Sequence, residues 1–170
     1  MRVLGIDPGS RITGFGVIQV LRNGQLSYIA SGCVRTPRGD FAGRLKSVYD
    51  GVSEVIRTYQ PAVLAIEKVF MAANPDSALK LGQARGVVLL VPARLGLAVA
   101  EYPPNLVKKS VVGAGHAAKQ QVQMMVRTLL PGAALECADA ADALAVAICH
   151  AHHRGTKTAI ERALKAEAGV

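Results

Sequence analysis

The segment ECADAADALAVAICHAHH, residues 136–153, restricts the fold more than any other part of the chain. Its alanine and aliphatic side chains favour a helix, and a helix apolar on every side has to be enclosed. Yet this one carries Asp139 and Asp142. A carboxylate drawn into such surroundings is costly unless a cation meets it. The two aspartates are three residues apart, so they lie on neighbouring turns of one face, which Val146 continues. Leu144 and Ile148 point roughly the opposite way and supply the anchor. The fold must therefore wrap this helix and still let cations reach one side of it.

The rest of the chain supplies a sheet to do the wrapping. RVLGID reads as a short buried strand closed by Pro8-Gly9. ITGFGVIQVL and LSYIASGCV read as two more, joined through Arg22-Asn23-Gly24, where Asn-Gly signals a hairpin. From Phe41 to Gln60 the period becomes helical, with Leu45, Val48, Val52, Val55, Ile56 and Tyr59 on one stripe and Pro61 ending it. AVLAIE is a fourth strand ending in Glu67, and Asn74 with Pro75 starts a helix that runs to about Leu95. LAVAEY is a fifth strand, followed by Pro103-Pro104, a short helix over NLVKKSVV and a longer one over AAKQQVQMMVRTLL. Three consecutive strands and then alternating helix and strand describe an α/β fold: a five-stranded mixed sheet flanked by helices. The 170 residues fit one domain over 1–153, and 154–170 reads as a basic, flexible C-terminal tail.

Composition excludes several classes. Hydrophobic residues make up 51% of the chain, too many for a disordered protein. The longest apolar run, VVLLVPARLGLAVA, is broken by Pro92 and Arg94 and makes a poor membrane span. An acid and a Pro-Gly turn appear within the first ten residues, too early for a signal peptide, so the expected location is cytoplasmic. Cys33, Cys137 and Cys149 are odd in number and lack Cys-x-x-Cys spacing; they read as buried thiols. A net charge of +8 favours a polyanionic partner.

Two further acids close hydrophobic strands, Asp7 at the end of RVLGID and Glu67 at the end of AVLAIE. Singly, Asp7 could cap a turn and Asp139 a helix. As a set they say more. Outside Asp7, Glu67, Asp139 and Asp142, only eight acidic residues face twenty basic ones. Four carboxylates brought together could not all stay ionised without cations. Hard divalent ions with oxygen ligands, Mg²⁺ or Mn²⁺, suit such a set. Two of them about 4 Å apart clamp the attacking and leaving oxygens of a phosphodiester, and a basic surround holds the backbone the acids repel. The pattern favours a nuclease. GIDPGS also resembles the first phosphate loop of sugar kinases and actin-like ATPases, but those bind ATP between two large lobes, and no second glycine-rich phosphate loop is present.

Four stretches in order, GIDPGSRITGFGV, AIEKVFMAANPDSALKLGQARG, VVGAGHAAKQQVQMMVRTLL and DAADALAVAICH, resemble the RuvC-type Holliday junction resolvases of bacteria, from the first residue to about His153. The resemblance implies an RNase H-like fold and a homodimer that resolves four-way DNA junctions by paired symmetric nicks in recombination and repair. Branch-migration proteins of the RuvA and RuvB type are its implied partners. It places the metal-binding catalytic quartet, with two ions per site, on Asp7, Glu67, Asp139 and Asp142. It also places DNA contacts at Lys108 and at Lys119, the latter near the cut phosphate, and favours Phe70 as a base-stacking residue over a core plug. From the residues alone, Arg85 and Lys80 could reach phosphates from the helix after Glu67, although their spacing does not share a face. Lys109 reads as solvated, and His116 could touch phosphate. Gly82, Ala84 and Gly86 are the candidate dimer interface. His150, His152 and His153 read as dipole partners near a helix end rather than metal ligands.

Overall fold

In the computed structural model, backbone is described for residues 1–68 and 74–167 and side chains for 1–68 and 74–155. Strands β1 (Arg2–Asp7), β2 (Ile12–Val20) and β3 (Leu26–Arg35) form an antiparallel meander. Helix α1 (Phe41–Tyr59) leads to β4 (Val63–Glu67), and α2 (Pro75–Arg94) leads to β5 (Ala98–Tyr102). The chain ends in α3 (Pro104–Val112), α4 (Lys119–Leu129) and α5 (Ala138–Glu167). The strand order is β3-β2-β1-β4-β5, with β4 parallel to both β1 and β5. This is the five-stranded mixed sheet expected from the pattern.

Local signals explain the ends of the elements. Asp40 accepts from the Gly43 N–H to start α1, and Gln60 ends it in the left-handed region at φ 46°. Asn74 accepts from the Asp76 and Ser77 N–H groups to start α2. The β2–β3 hairpin turns at Gly24, whose φ of 82° suits glycine.

Each sheet face has its own core. Leu4, Ile6, Val17, Leu64 and Ile66 pack with Val48, Val52 and Ile56 of α1 and with Val88 and Val91 of α2. On the other face Val3, Ile18, Val63 and Ala65 pack with Leu144 and Ile148 of α5, with α3 and α4 alongside. The alanines of 138–147 now have a physical reason. A Cβ added at Gly5 would stand 2.0 Å from the Ala143 carbonyl oxygen, and one at Gly14 would stand 2.0 Å from that of Asp139. Helix α5 lies directly on the backbone of β1 and β2, where only small side chains fit.

Three sequence expectations are corrected. Cys33 and Cys137 are disulfide-bonded rather than free, leaving Cys149 as the buried thiol. Spacing within the chain could not reveal this pair, because the approach of α5 to the sheet creates it. Ala84 is fully buried in the protein's own core, so it cannot join Gly82 and Gly86 at an interface. His150 lies within α5, not near its end, because the helix runs on to Glu167. Its Nδ1 is 2.8 Å from the Tyr102 hydroxyl, and burial lowers its pKa.

The disulfide spans a sequence separation of 104, which confines the unfolded chain by about 4–5 kcal/mol. The oxidised protein should therefore melt roughly 10 °C above a Cys33→Ser variant, and dithiothreitol should abolish the difference. Equal melting temperatures in calorimetry would show that the crosslink contributes no stability.

Candidate active site

Strand parity decides which way the acids face. Along β1, Leu4 and Ile6 enter the α1–α2 core while Val3 enters the α5 core, and the alternation sends Asp7 toward α5. Strand β4 repeats this: Leu64 and Ile66 go one way, Val63 and Ala65 the other, and Glu67 follows the latter. The register pairs Val3 with Val63 and Ile6 with Ile66, so Asp7 and Glu67 close adjacent parallel strands on one face. Asp139 and Asp142 meet them from the first turns of α5.

The glycines set how close that meeting is. Gly14, the ladder partner of Asp7, lies under the Asp139 carbonyl, and Gly16 lies under Leu144. Carboxylate oxygens of Asp7, Asp139 and Asp142 consequently come within 4.8 Å of one another. Glu67 and Asp142 line an adjoining cavity of about 210 Å³ with Val107, Lys108, Lys119 and Val146. These glycines were missed in the sequence. The signal was there in GFG, two glycines at i and i+2 on the strand face that a helix would have to cover.

The electrostatics follow from crowding. Asp7 is pushed up to about 7, mainly by burial and then by the charges of Asp142, Asp139 and Glu67, with Lys119 opposing. Burial and then Asp142 raise Glu67, against Lys108 and Lys119. The Lys119 ammonium sits 2.6 Å from the Asp142 carboxylate, and that hydrogen bond holds it above its usual range. A cluster this short of positive charge, built only of hard oxygen donors, fits a divalent cation. Cys33, Cys137 and Asp139 also converge, but both sulfurs are consumed in the disulfide.

The other expected residues separate by position. Lys108 and Lys119 flank the acids, whereas Lys109 is exposed, as its solvated reading had it. Lys80 pairs with Asp76 on its own helix. Arg85 turns its guanidinium to the ends of β4 and β5, donating to the Glu67 carbonyl at 3.4 Å and pairing with the Glu101 carboxylate. His116 is exposed. Phe70 lies outside the described residues.

The family model described as crossover junction endodeoxyribonuclease RuvC matches residues 3–150. The chain belongs to the RuvC family. The crossover junction endodeoxyribonuclease RuvC of Rhodospirillum rubrum is 59% identical over 155 residues, covering 91% of each chain. The RuvC structure from Thermus thermophilus superposes with a TM-score of 0.83 at 35% identity, covering 93% of this chain and 98% of that one. The T. thermophilus RuvC solved in complex with Holliday junction substrate gives 0.85 at 34% identity, covering 93% and 97%. The fold is accordingly RNase H-like, and the four acids described above stand on the RuvC framework.

Proposed function

We propose that this protein is a Holliday junction resolvase, a structure-selective endodeoxyribonuclease that cuts four-way DNA junctions during recombination and repair. The observation that carries the reading is the convergence of Asp7, Asp139 and Asp142 within 4.8 Å, with Glu67 on the neighbouring strand, in a RuvC-family chain. Resolution requires two symmetric nicks in strands of like polarity, so we assign the active form to a homodimer with two equivalent sites. Leu79, Gly82, Gly86 and Leu90 are exposed along one face of α2 and support a close helix–helix contact between copies. Among the described residues no helix is long and apolar enough to cross a membrane. We place the enzyme in the cytoplasm with the chromosome, working with a branch-migration complex of the RuvA and RuvB type.

Asp7, Glu67, Asp139 and Asp142 are the proposed ligands of two divalent cations, Mg²⁺ or Mn²⁺. Such cations supply a more acidic bound water and positive charge for the attacking and leaving oxygens of a phosphodiester. The chain's own groups do the remaining work. Asp7 is held rigid at a strand end, with α5 packed on the glycines beside it, so the carboxylates are set before substrate arrives. Lys119 is half exposed, and it can turn from Asp142 to a non-bridging oxygen of the scissile phosphate, offsetting the repulsion between phosphate and acids. Lys108 does the same beside Glu67. Arg85 is a positioning residue: by holding the Glu67 carbonyl and the Glu101 carboxylate it ties α2 to the ends of two strands.

Phe70, three residues after Glu67, is the proposed stacking platform for an unpaired base at the junction centre. Phe70→Ala should then cut junctions roughly tenfold or more slowly while melting like the wild type, since such stacking is worth about 1–3 kcal/mol. Normal cleavage with early melting would return Phe70 to the core.

The function is tested with a synthetic mobile four-way junction, with and without Mg²⁺ or Mn²⁺, beside plain duplex of the same sequence. Paired symmetric nicks confined to junction plus metal are expected. Equal cutting of duplex, or cutting that survives chelation, would overturn the reading.

A further inference from the structure

The catalytic end of the sheet holds a second charged feature that the mechanism does not use. A cleft of about 750 Å³ opens where β2 begins and β3 ends, and it is lined by Arg11, Arg35, Arg38 and Arg44 with Thr36. No carboxylate lines it, and none of the four arginines makes an ion pair among the described residues. Arg11, Arg35 and Arg38 are exposed, while Arg44 donates to the Ser10 carbonyl and rests 5.5 Å over the Phe41 ring. The Thr36 N–H donates to the Arg11 carbonyl at 3.0 Å, which fixes the 36–40 connection against the loop that follows Asp7. Like charges gathered on a fixed backbone without a counter-charge repel one another and favour an anion between them.

The strand register locates this cleft relative to the acids. Asp7 pairs with Gly14, Gly14 with Cys33, and Ile12 with Arg35. Arg35 is thus two strands from Asp7 and two residues further along, about 12 Å away from backbone to backbone. A gap of that size is spanned by a few nucleotides of one DNA strand. Lys108 and Lys119 stand on the other side of the acids. Positive charge therefore lies on both sides of the metal site, and an extended polyanion crossing the acids would meet both.

We propose that Arg11, Arg35 and Arg38, braced by Arg44, form a second phosphodiester-backbone site that holds the cut arm of the junction a few nucleotides from the scissile phosphate. The proposal rests on the resolvase reading and adds to it where the arm is gripped.

The test is equilibrium binding of a labelled four-way junction in chelator, by fluorescence anisotropy, across a salt series. The double variant Arg35→Gln/Arg38→Gln is compared with Arg22→Gln/Arg57→Gln. The latter removes the same charge from exposed positions at the opposite end of the sheet. The first pair should weaken binding about tenfold or more near 0.1 M salt. It should also reduce the slope of log K against log salt by about 2, since each phosphate left unneutralised lowers that slope by about 0.9. The second pair should bind within about twofold of wild type with its slope unchanged. An unchanged slope in the first pair would overturn the site, and so would equal losses in both pairs, which would indicate net charge alone. The two readings fail separately. Wild-type protein that does not cut junctions with metal present sinks the resolvase function, whereas normal wild-type cutting with an unaltered Arg35→Gln/Arg38→Gln slope sinks only this site.

Discussion

Asp7→Asn is expected to bind a four-way junction as tightly as the wild type and to cut it roughly 1,000-fold or more slowly, the scale of losing several kcal/mol of metal-borne transition-state stabilisation. The amide keeps the shape of the carboxyl but gives up the charge a hard divalent ion requires. Asp7 sits at the centre of the cluster, where burial and then the charges of Asp142, Asp139 and Glu67 push it up to about 7. Junction binding, assigned above to basic residues, should be left alone. Cutting by the variant at even a tenth of the wild-type rate would remove Asp7 from the metal site.

The same substitution should stabilise the metal-free protein, and the pH dependence gives the sign. Asp7 titrates near 7 in the fold against an ordinary value of 3.8, so the folded state binds the extra proton between these limits. Its contribution to stability is complete below the lower value and is lost as pH rises through the upper one. In chelator at pH 8 the wild type bears the ionised, crowded carboxylate and Asp7→Asn does not. The variant should then be more stable by on the order of 3 kcal/mol, and the advantage should shrink toward zero by about pH 4–5. Added Mg²⁺ should stabilise the wild type and leave the variant nearly unmoved. Identical denaturation curves at pH 8 in chelator would mean that the acids do not burden the empty fold.

Gly14→Ala carries the second large effect. Its Cβ would lie 2.0 Å from the Asp139 carbonyl oxygen and 2.3 Å from the carbon behind it. Both are backbone atoms, so no rotamer can yield, and α5 must lift away from β2. Overpacking of this kind costs about 1–3 kcal/mol or more. A displacement near 1 Å of Asp139 and Asp142 relative to Asp7 should lower cleavage by roughly 100-fold. The expected signature is this slowed cutting with retained junction binding and a reduced melting temperature. Wild-type cleavage by Gly14→Ala would show that the helix is not seated on the strand as described.

Much of this was legible locally. The stripe Val48, Val52, Val55 and Ile56 identified α1 and is buried as a unit, and Asn74 marked the start of α2. Asp7 and Glu67 stood out because each ends an apolar strand, and strand parity would have given their direction as well. Other features had no local signal. Cys33 and Cys137 face each other only because α5 begins beside β3. Ala84 and Gly86 look alike in sequence, yet one is fully buried and a Cβ on the other would meet nothing within 4 Å. The arginine cleft draws on the β1–β2 loop, the end of β3 and the first turn of α1, none of which is unusually basic alone.

By itself the sequence determined which residues up to about His153 are helical or extended, which faces are apolar and which four acids sit where a surface charge does not belong, because periods of 2 and 3.6 are properties of neighbouring residues. Only the tertiary structure decided that β4 inserts beside β1, in the order β3-β2-β1-β4-β5, and that α5 crosses the glycines of β1 and β2. Those choices depend on ladder pairing and close packing between segments far apart in the chain, and it is they that turn four scattered carboxylates into one acidic cluster.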